Sequence, residues 1–307
     1  MRIVSALVCT RNRSKVIPNV VRSLLDESDR NVELLIIDQS DDAETERALE
    51  PWSTDARLRY YRSKTRGKGA ALNEGIQLAR GEIVVCTDDD CEVPPGWVEQ
   101  MARAVESQPS AAIVFCRVVA APHDQRTGYI PSYEFEGNRM LRSVLAGCRG
   151  LGLGAAMAIR RDFVLAAGGF DESLGPGARF RGGEDWDISL RALVMGRAIY
   201  ETSELSVLHD GFRTFAEGRT HARRDWIAIG ALCAKPLRAG YIKAAIVPAW
   251  YFASRAVWPP VADLLHLRKP SGLVRITAFV EGFAKALRVP VNPLTLRFNV
   301  EPGERSE

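Results

Sequence analysis

Within its first ninety residues the chain repeats one pattern: an apolar run short enough for a strand, a polar loop at its end, then apolar residues at helical spacing. Residues 2 to 9, RIVSALVC, end in TRNR, and between Ser14 and Leu25 the residues Val16, Ile17, Val20, Val21, Leu24 and Leu25 share one helical face. With Ser14 as cap, Pro18 falls in the first turn, where backbone N–H groups have no intrahelical partner to lose. VELLIID at 32 to 38 runs into the acidic loop DQSDDAETE, RLRYYRS at 57 to 63 leads to KTRGKGAALNEGIQLARG, and a fourth apolar run opens GEIVVCTDDDCEVPPGW at 81 to 97. Strands alternating with helices predict an α/β architecture whose parallel sheet takes ligands beyond the carboxyl ends of its strands.

That layout brings four polar clusters to one rim: Thr10 to Arg13, Asp38, Arg66 to Lys68, and Asp88 to Asp90. The three adjacent aspartates repel one another, and no Lys or Arg lies within 81 to 97 to relieve them. They must be solvated, matched by distant cations, or completed by a hard divalent ion such as Mg²⁺ or Mn²⁺. An isolated acidic turn reads the same way, whereas four polar strand ends at one crevice are the expected layout of a nucleotide and metal site.

With 46% hydrophobic residues in 307, the chain can bury a sizeable core as one large domain or two units sharing a sheet. A balance of 41 basic to 38 acidic residues argues against nucleic acid as a partner. The charge is unevenly placed: residues 221 to 307 hold 13 Lys and Arg against 6 Asp and Glu, while residues 1 to 220 hold 28 against 32. The six cysteines form neither a CxxC pair nor a zinc-like spacing with the four histidines, as expected for buried thiols in a reducing cytoplasm. The N-terminal apolar run breaks into charge within a few residues and reads as a first strand, not a leader.

Taken in order, VCTRNR, IIDQS, RGKGAALNEGI, TDDDCEVPPGW, GGFDE (168 to 172), GGEDWDISLRAL (182 to 193) and VLHDG (207 to 211) resemble the family 2 glycosyltransferases of the GT-A fold, over roughly residues 1 to 215. The resemblance implies a Rossmann-like, mostly parallel sheet flanked by helices. In it, residues 1–105 form a nucleotide-sugar-binding half, 106–222 an acceptor-binding and catalytic half, and 223–307 a basic, apolar helical extension. It implies a nucleotide-sugar donor, a uracil-type base, a glycan or lipid-linked acceptor, and inversion at the anomeric carbon.

The same resemblance assigns roles. Asp88 lies near the ribose, Asp90 binds a Mg²⁺ or Mn²⁺ that bridges the diphosphate, and Asp89 belongs to the same nucleotide-sugar site. Asp38 accepts the imide N–H of the base, beside Thr10, Arg11 and Arg13, while Arg66 and Lys68 reach phosphates as cations. Asp185 is the base for the acceptor hydroxyl, Glu184 an orienting neighbour, and Asp187 structural. Carboxylates at a helix start are also favoured whatever the function. His209 completes the metal's coordination, although a lone histidine is as readily structural.

Three positions depart from the pattern or leave a choice. Gln39 stands where a second acid is frequent, and Ala155 or Ala156 where an asparagine is frequent. Asp171 serves either as a turn cap or as an acceptor contact. The missing asparagine makes a non-catalytic nucleotide-sugar-binding protein a competing reading. A sugar-1-phosphate nucleotidyltransferase would need a glycine-rich triphosphate loop where CTRNRSK stands.

From Trp226 to Ala262 there is no acidic residue, while Lys235, Arg238, Lys243 and Arg255 punctuate an apolar, aromatic stretch. Its uninterrupted apolar run, 244 to 254, is too short to span a bilayer. Leu273, Ile276, Val280, Phe283 and Leu287 share one helical face. Such helices either pack on the catalytic domain or lie on the inner membrane surface beside a lipid-linked acceptor.

Overall fold

The computed structural model describes residues 3–26 and 31–299; Arg2, in the first expected strand, lies outside them. In chain order the first half runs β1 (Val4–Thr10), α1 (Ile17–Asp26), β2 (Val32–Asp38), α2 (Glu44–Ala48), β3 (Leu58–Arg62), α3 (Lys68–Leu78), β4 (Ile83–Asp88), β5 (Cys91–Glu92) and α4 (Trp97–Ser107). The second half continues β6 (Ala111–Ala120), β7 (Gly128–Tyr129), β8 (Arg139–Leu141), β9 (Met157–Arg160), α5 (Arg161–Ala166), α6 (Glu184–Val194), β10 (Ala198–His209) and β11 (Arg213–Thr214). Four helices close the chain: α7 (Phe215–Arg238), α8 (Ile242–Phe252), α9 (Trp258–Leu265) and α10 (Leu273–Ala286).

The four expected strands pair in parallel, in the order β3-β2-β1-β4. Every residue of β2 is buried, as a central strand covered on both faces requires. Their registers set Thr10 opposite Asp38, Asp38 opposite Arg62 and Cys9 opposite Asp88, so the polar ends are level along one rim. Beyond β4 the parallel repeat stops. β9 lies antiparallel between β4 and β6, and β10 runs parallel to β6. The short β5 pairs antiparallel with the end of β10, setting Cys91 opposite His209 and bringing the histidine to the aspartate cluster from far along the chain.

Alternate residues of the strands feed two cores. Ala6, Val8, Leu34 and Ile36 pack on α1 and α4; Leu7, Leu35 and Ile37 pack on α3, α5 and α6. Gly75 lets α3 approach closely, because a Cβ there would sit 2.3 Å from Leu7. α1 starts later than expected: Val16 and Ile17 donate their N–H groups to the Arg13 carbonyl, and the Ser14 hydroxyl donates to Glu44 instead of capping the helix. α6 buries Ile188, Leu190 and Leu193, with Trp186 and Val194 half-buried. Its other side is closed too, since Asp187, Ser189 and Arg191 are buried.

That closure comes from a third core, in which α7, α8 and α10 contribute Trp226, Ile227, Leu232, Ala245 and Phe279. α7 and α10 cross at backbone contact: a Cβ on Gly230 would lie 2.1 Å from the Phe279 carbonyl, and one on Gly282 would lie 1.9 Å from that of Ile227. This corrects the expected face of α10. The helix turns Ala278, Phe279, Gly282 and Ala286 inward, and of the five residues expected to share a face, Leu273, Val280 and Leu287 remain exposed. No helix among the described residues is long and apolar enough to cross a membrane.

Candidate active site

At the end of β1, Asn12 adopts a left-handed conformation (φ 55°), which an asparagine tolerates better than most residues. Its N–H donates to Ser40 Oγ and its amide pairs with Asp41, so the loops after β1 and β2 are stitched together. Arg13 then faces the aspartate cluster, donating to Asp89 Oδ1 at 2.5 Å and Asp90 Oδ2 at 2.8 Å. Thr10 Oγ1 donates to the other oxygen of Asp89 at 2.7 Å. Burial pushes the Asp89 carboxyl up to about 6, against the pull of Arg13 and Thr10.

Asp90 responds the other way. Burial is outweighed by the hydrogen bond to His209 and by the Arg13 charge, which hold its carboxyl well below the usual range. His209 Nδ1 lies 2.8 Å from the Pro131 carbonyl, which assigns its proton to Nδ1 and directs Nε2 to Asp90 Oδ1 at 3.3 Å. Burial lowers the His209 imidazole, but the Asp90 carboxylate and the Pro131 carbonyl outweigh it and raise the ring toward its protonated form, so a proton on Nε2 holds the place beside Asp90 that a divalent cation would take. Asp90, Cys91 and His209 form a group whose ligand atoms lie within 4.8 Å of one another. The Cys91 thiol is pushed well up by burial and stays protonated, leaving the oxygen and nitrogen donors that suit Mg²⁺ or Mn²⁺.

Asp88 belongs to a second group. Its Oδ1 accepts from Lys68 Nζ at 2.5 Å, and the same ammonium stands 3.6 Å from Glu184 Oε1. Gly67, at φ 91°, opens α3 and directs Lys68 into this position; Gly183, at φ 79°, does the same for Glu184 and Asp185 at the start of α6. Burial raises Glu184 to about 7, with Lys68 opposing and Asp185 adding to the shift. Asp185 is also raised, chiefly by burial. Its Oδ2 accepts from the Gly154 N–H at 2.9 Å and its Oδ1 from the Trp186 N–H at 2.8 Å. Lys68, Asp88, Glu184, Asp185 and Gly154 line one small cavity.

Three expected residues stand apart from these groups. Arg11 and Arg66 converge on Asp41 at the outer rim, at 3.5 and 2.5 Å. Asp38 is fully buried beneath them: Oδ1 accepts from the Ser40 N–H and hydroxyl, and Oδ2 from the Tyr60 hydroxyl at 2.7 Å. Gln39 points to Thr65 and the Gly67 carbonyl, tying the second loop to the third. Ala155 and Ala156 are buried; the Ala155 carbonyl accepts from Thr87, and the backbone of Gly154 is what meets Asp185.

Sequence reasoning missed Asp41, Tyr60 and Gly154. Only Tyr60 carried a signal, two residues before the strand end that pairs with Asp38. It also misjudged Lys235, counted among cations free to meet lipid. That ammonium is 2% exposed and binds Asp171 Oδ2 at 2.6 Å and Asp187 Oδ1 at 2.5 Å. Asp171 caps its turn by accepting the Ser173 N–H and also accepts the Phe298 N–H.

The glycosyl transferase family 2 model matches residues 5–165, and the strands and loops just described fall within that stretch up to β9. A putative glycosyltransferase EpsH of Bacillus subtilis is 33% identical over 122 residues, or 39% of this chain and 35% of that protein. An uncharacterized glycosyltransferase of Haemophilus influenzae is 25% identical over 62% of this chain and 61% of its own length. The chain thus spans between about a third and three fifths of these curated relatives. Among solved structures, the mannosyltransferase PcManGT of Pyrobaculum calidifontis, in complex with GDP-Man and Mn²⁺, aligns with a TM-score of 0.61 at 19% identity, covering 94% of this chain and 87% of that one. TarS 1-349 of S. aureus in complex with UDP-GlcNAc aligns at 0.59 and 15% identity, covering 93% and 83%. These likenesses are of fold, a mixed α/β GT-A architecture with a C-terminal helical region. With its family model matching more than half of its length, in the segment that carries Thr10, Arg13, Lys68 and Asp88 to Asp90, the chain belongs to glycosyltransferase family 2.

Proposed function

We propose that the protein transfers a sugar from a nucleoside-diphosphate sugar, UDP-linked, to a hydroxyl of a glycan or lipid-linked acceptor, with inversion at the anomeric carbon. One observation carries the reading: the Arg13–Asp89–Asp90–His209 group and the Lys68–Asp88–Glu184–Asp185 group adjoin along one rim, with a carboxylate to take a proton and cations to receive a diphosphate. The neighbours in complex with GDP-Man and with UDP-GlcNAc support a nucleotide-sugar donor, and the Mn²⁺ in the former supports a divalent ion. Six unpaired thiols suit a cytoplasmic setting.

Asp90 and His209 would hold Mg²⁺ or Mn²⁺, which when bound neutralises charge building on the diphosphate as the glycosidic bond breaks. Arg13 and Lys68 exchange carboxylate for phosphate oxygen as the donor arrives, and Asp88 and Asp89 stay beside the ribose and sugar. Asp38 reads the base imide by exchanging its contact to Ser40 or Tyr60, with Thr10, Arg11 and Arg66 around the nucleotide. Asp185 takes the acceptor's proton while the acceptor oxygen bonds to the anomeric carbon; the bond from that carbon to the diphosphate breaks on the opposite face, and the electron pair leaves with the nucleoside diphosphate. Glu184, held between Lys68 and Asp185, orients the acceptor. The mechanism forms no bond between sugar and protein.

Calorimetric titration of UDP tests the reading. Binding is expected with Mn²⁺ or Mg²⁺ and lost with chelator or in Asp90→Asn. Equal affinity in all these conditions would reject a metal at Asp90.

A further inference from the structure

The C-terminal layer carries large apolar side chains on its outer surface as well as in its core. α8 buries Ala244, Ala245, Val247 and Pro248 and exposes Ile242, Ile246 and Trp250, one residue per turn along one stripe. Helical geometry continues through a π-turn at Ala253–Val257, with Pro259 and Pro260 in the opening turn of α9, where Trp258, Leu264 and Leu265 are exposed by 60%, 58% and 71%. α10 turns Ala278, Phe279, Gly282 and Ala286 inward and leaves Leu273 and Val280 outside. In water, leaving these tryptophan, leucine and isoleucine side chains exposed forgoes hydrophobic stabilisation; against hydrocarbon it does not.

Charge names the occupant. Lys243, Arg255, Arg268 and Lys269 are exposed around this face. No acid occurs from 226 to 262, and Asp263 is engaged with the Ser271 hydroxyl and N–H. A symmetric contact with a second copy would set these cations against themselves. An anionic bilayer meets both features at once, the apolar stripe at the acyl boundary and the cations at the headgroups. The face also adjoins the site: Trp186, next to Asp185, packs edge-on against Tyr251 at 4.9 Å, and Tyr251 neighbours the exposed Trp250.

We infer that the outer face of α8 and α9, with the start of α10, docks on an anionic lipid surface and so presents the rim at Asp185 to an acceptor held in that membrane. The surface stands on its own observations; only its link to an acceptor rests on the proposed function.

Sedimentation of the full-length chain with phosphatidylglycerol-containing vesicles, against pure phosphatidylcholine, tests it. Binding is expected with the anionic vesicles, weakened by salt, and reduced roughly tenfold or more in Trp258→Ala/Leu265→Ser and in Lys243→Ala/Lys269→Ala. Both variants change exposed side chains, so unchanged melting curves and unchanged Mn²⁺-dependent UDP binding are expected, which separates this surface from the donor site. Full-length protein left in the supernatant with every lipid overturns the inference. So does vesicle binding that Trp258→Ala/Leu265→Ser leaves intact, since any basic surface would do that. A dimer that the same substitutions dissolve, seen by ultracentrifugation without vesicle binding, overturns it in favour of a second copy. Vesicle binding without UDP binding leaves the surface standing and removes the proposed donor.

Discussion

At its first turn α6 presents Glu184 and Asp185 to a cavity shared with Lys68 and Asp88; within the next turn and a half it presents Asp187 and Arg191 to Lys235 and Asp171. Both clusters mix carboxylates and cations, and their side-chain exposure separates them. Lys68 and Asp88 are exposed by 21% and 27%, while the four members of the second cluster are at 1–3%. In the second cluster the remaining valences are also filled: Arg191 donates to the Ala167 and Gly169 carbonyls, and Asp171 accepts from Ser173 and Phe298. A sealed and satisfied set has no partner to exchange and holds elements together, whereas an open set with a pair as long as 3.6 Å can trade a carboxylate for a ligand.

The largest expected effect breaks the sealed cluster. Lys235→Met leaves Asp171 and Asp187 buried, Asp187 with Arg191 and Asp171 with the Ser173 and Phe298 N–H groups, and removing one partner of a buried pair costs about 3–5 kcal/mol. Chemical denaturation should show that loss, and α7 should open first in hydrogen exchange, because Lys235 is its tie to α6 and to the 298 segment. Stability equal to wild type would mean that the cluster is solvated in solution and that the contrast with the rim is false.

The open cluster should fail in rate instead. Asp185→Asn keeps the shape and removes the proton affinity, so turnover should fall roughly a hundredfold or more, about 3 kcal/mol in the barrier. Donor affinity should be nearly unchanged, because the Asp185 carboxylate accepts from the Gly154 and Trp186 N–H groups and makes no hydrogen bond to Lys68 or Arg13. Single-turnover kinetics with saturating donor makes the comparison. A variant as fast as wild type moves the base to Glu184, and one that unfolds would place Asp185 with the sealed set.

How much of this contrast could be read beforehand follows from range along the chain. β1 to β4 and their level ends were legible, because each strand and its loop are local and parallel order follows from alternation. The GGED start of α6 was legible for the same reason: two glycines and a run of acids mark a turn into a helix. The return of His209 to Asp90 was reached only through resemblance, since it depends on β5 pairing with β10 over more than a hundred residues. The sealed cluster was not legible. Lys235 sits in an acid-free, apolar stretch and reads as a cation facing lipid; its partners are 64 and 48 residues away on other elements. α10 misled for a related reason: its larger apolar residues mark a face, but the close approach of Gly282 to the α7 backbone turns the face of Ala278, Phe279, Gly282 and Ala286 inward instead.

The smallest expected effect sharpens the comparison through pH, because the two clusters carry opposite signs. Asp171 is held below its ordinary range: burial opposes, and Lys235 and the Phe298 N–H prevail, so its contribution to stability is present above the unfolded value and is lost as pH falls through the folded one. Glu184 is raised from an ordinary 4.5 to about 7, chiefly by burial. The folded chain therefore keeps a proton there that the unfolded chain has released, and stability declines as pH rises through that window, with the full penalty above 7. Glu184→Gln mimics the protonated acid. It should match wild type near pH 4.5 and exceed it by roughly 1–3 kcal/mol above pH 7, a gain taken from the orientation of the acceptor. Denaturation midpoints of both proteins across that range make the measurement. If the difference does not grow with pH, Lys68 neutralises Glu184 fully, and the first turn of α6 is as well satisfied as the cluster one turn beyond it.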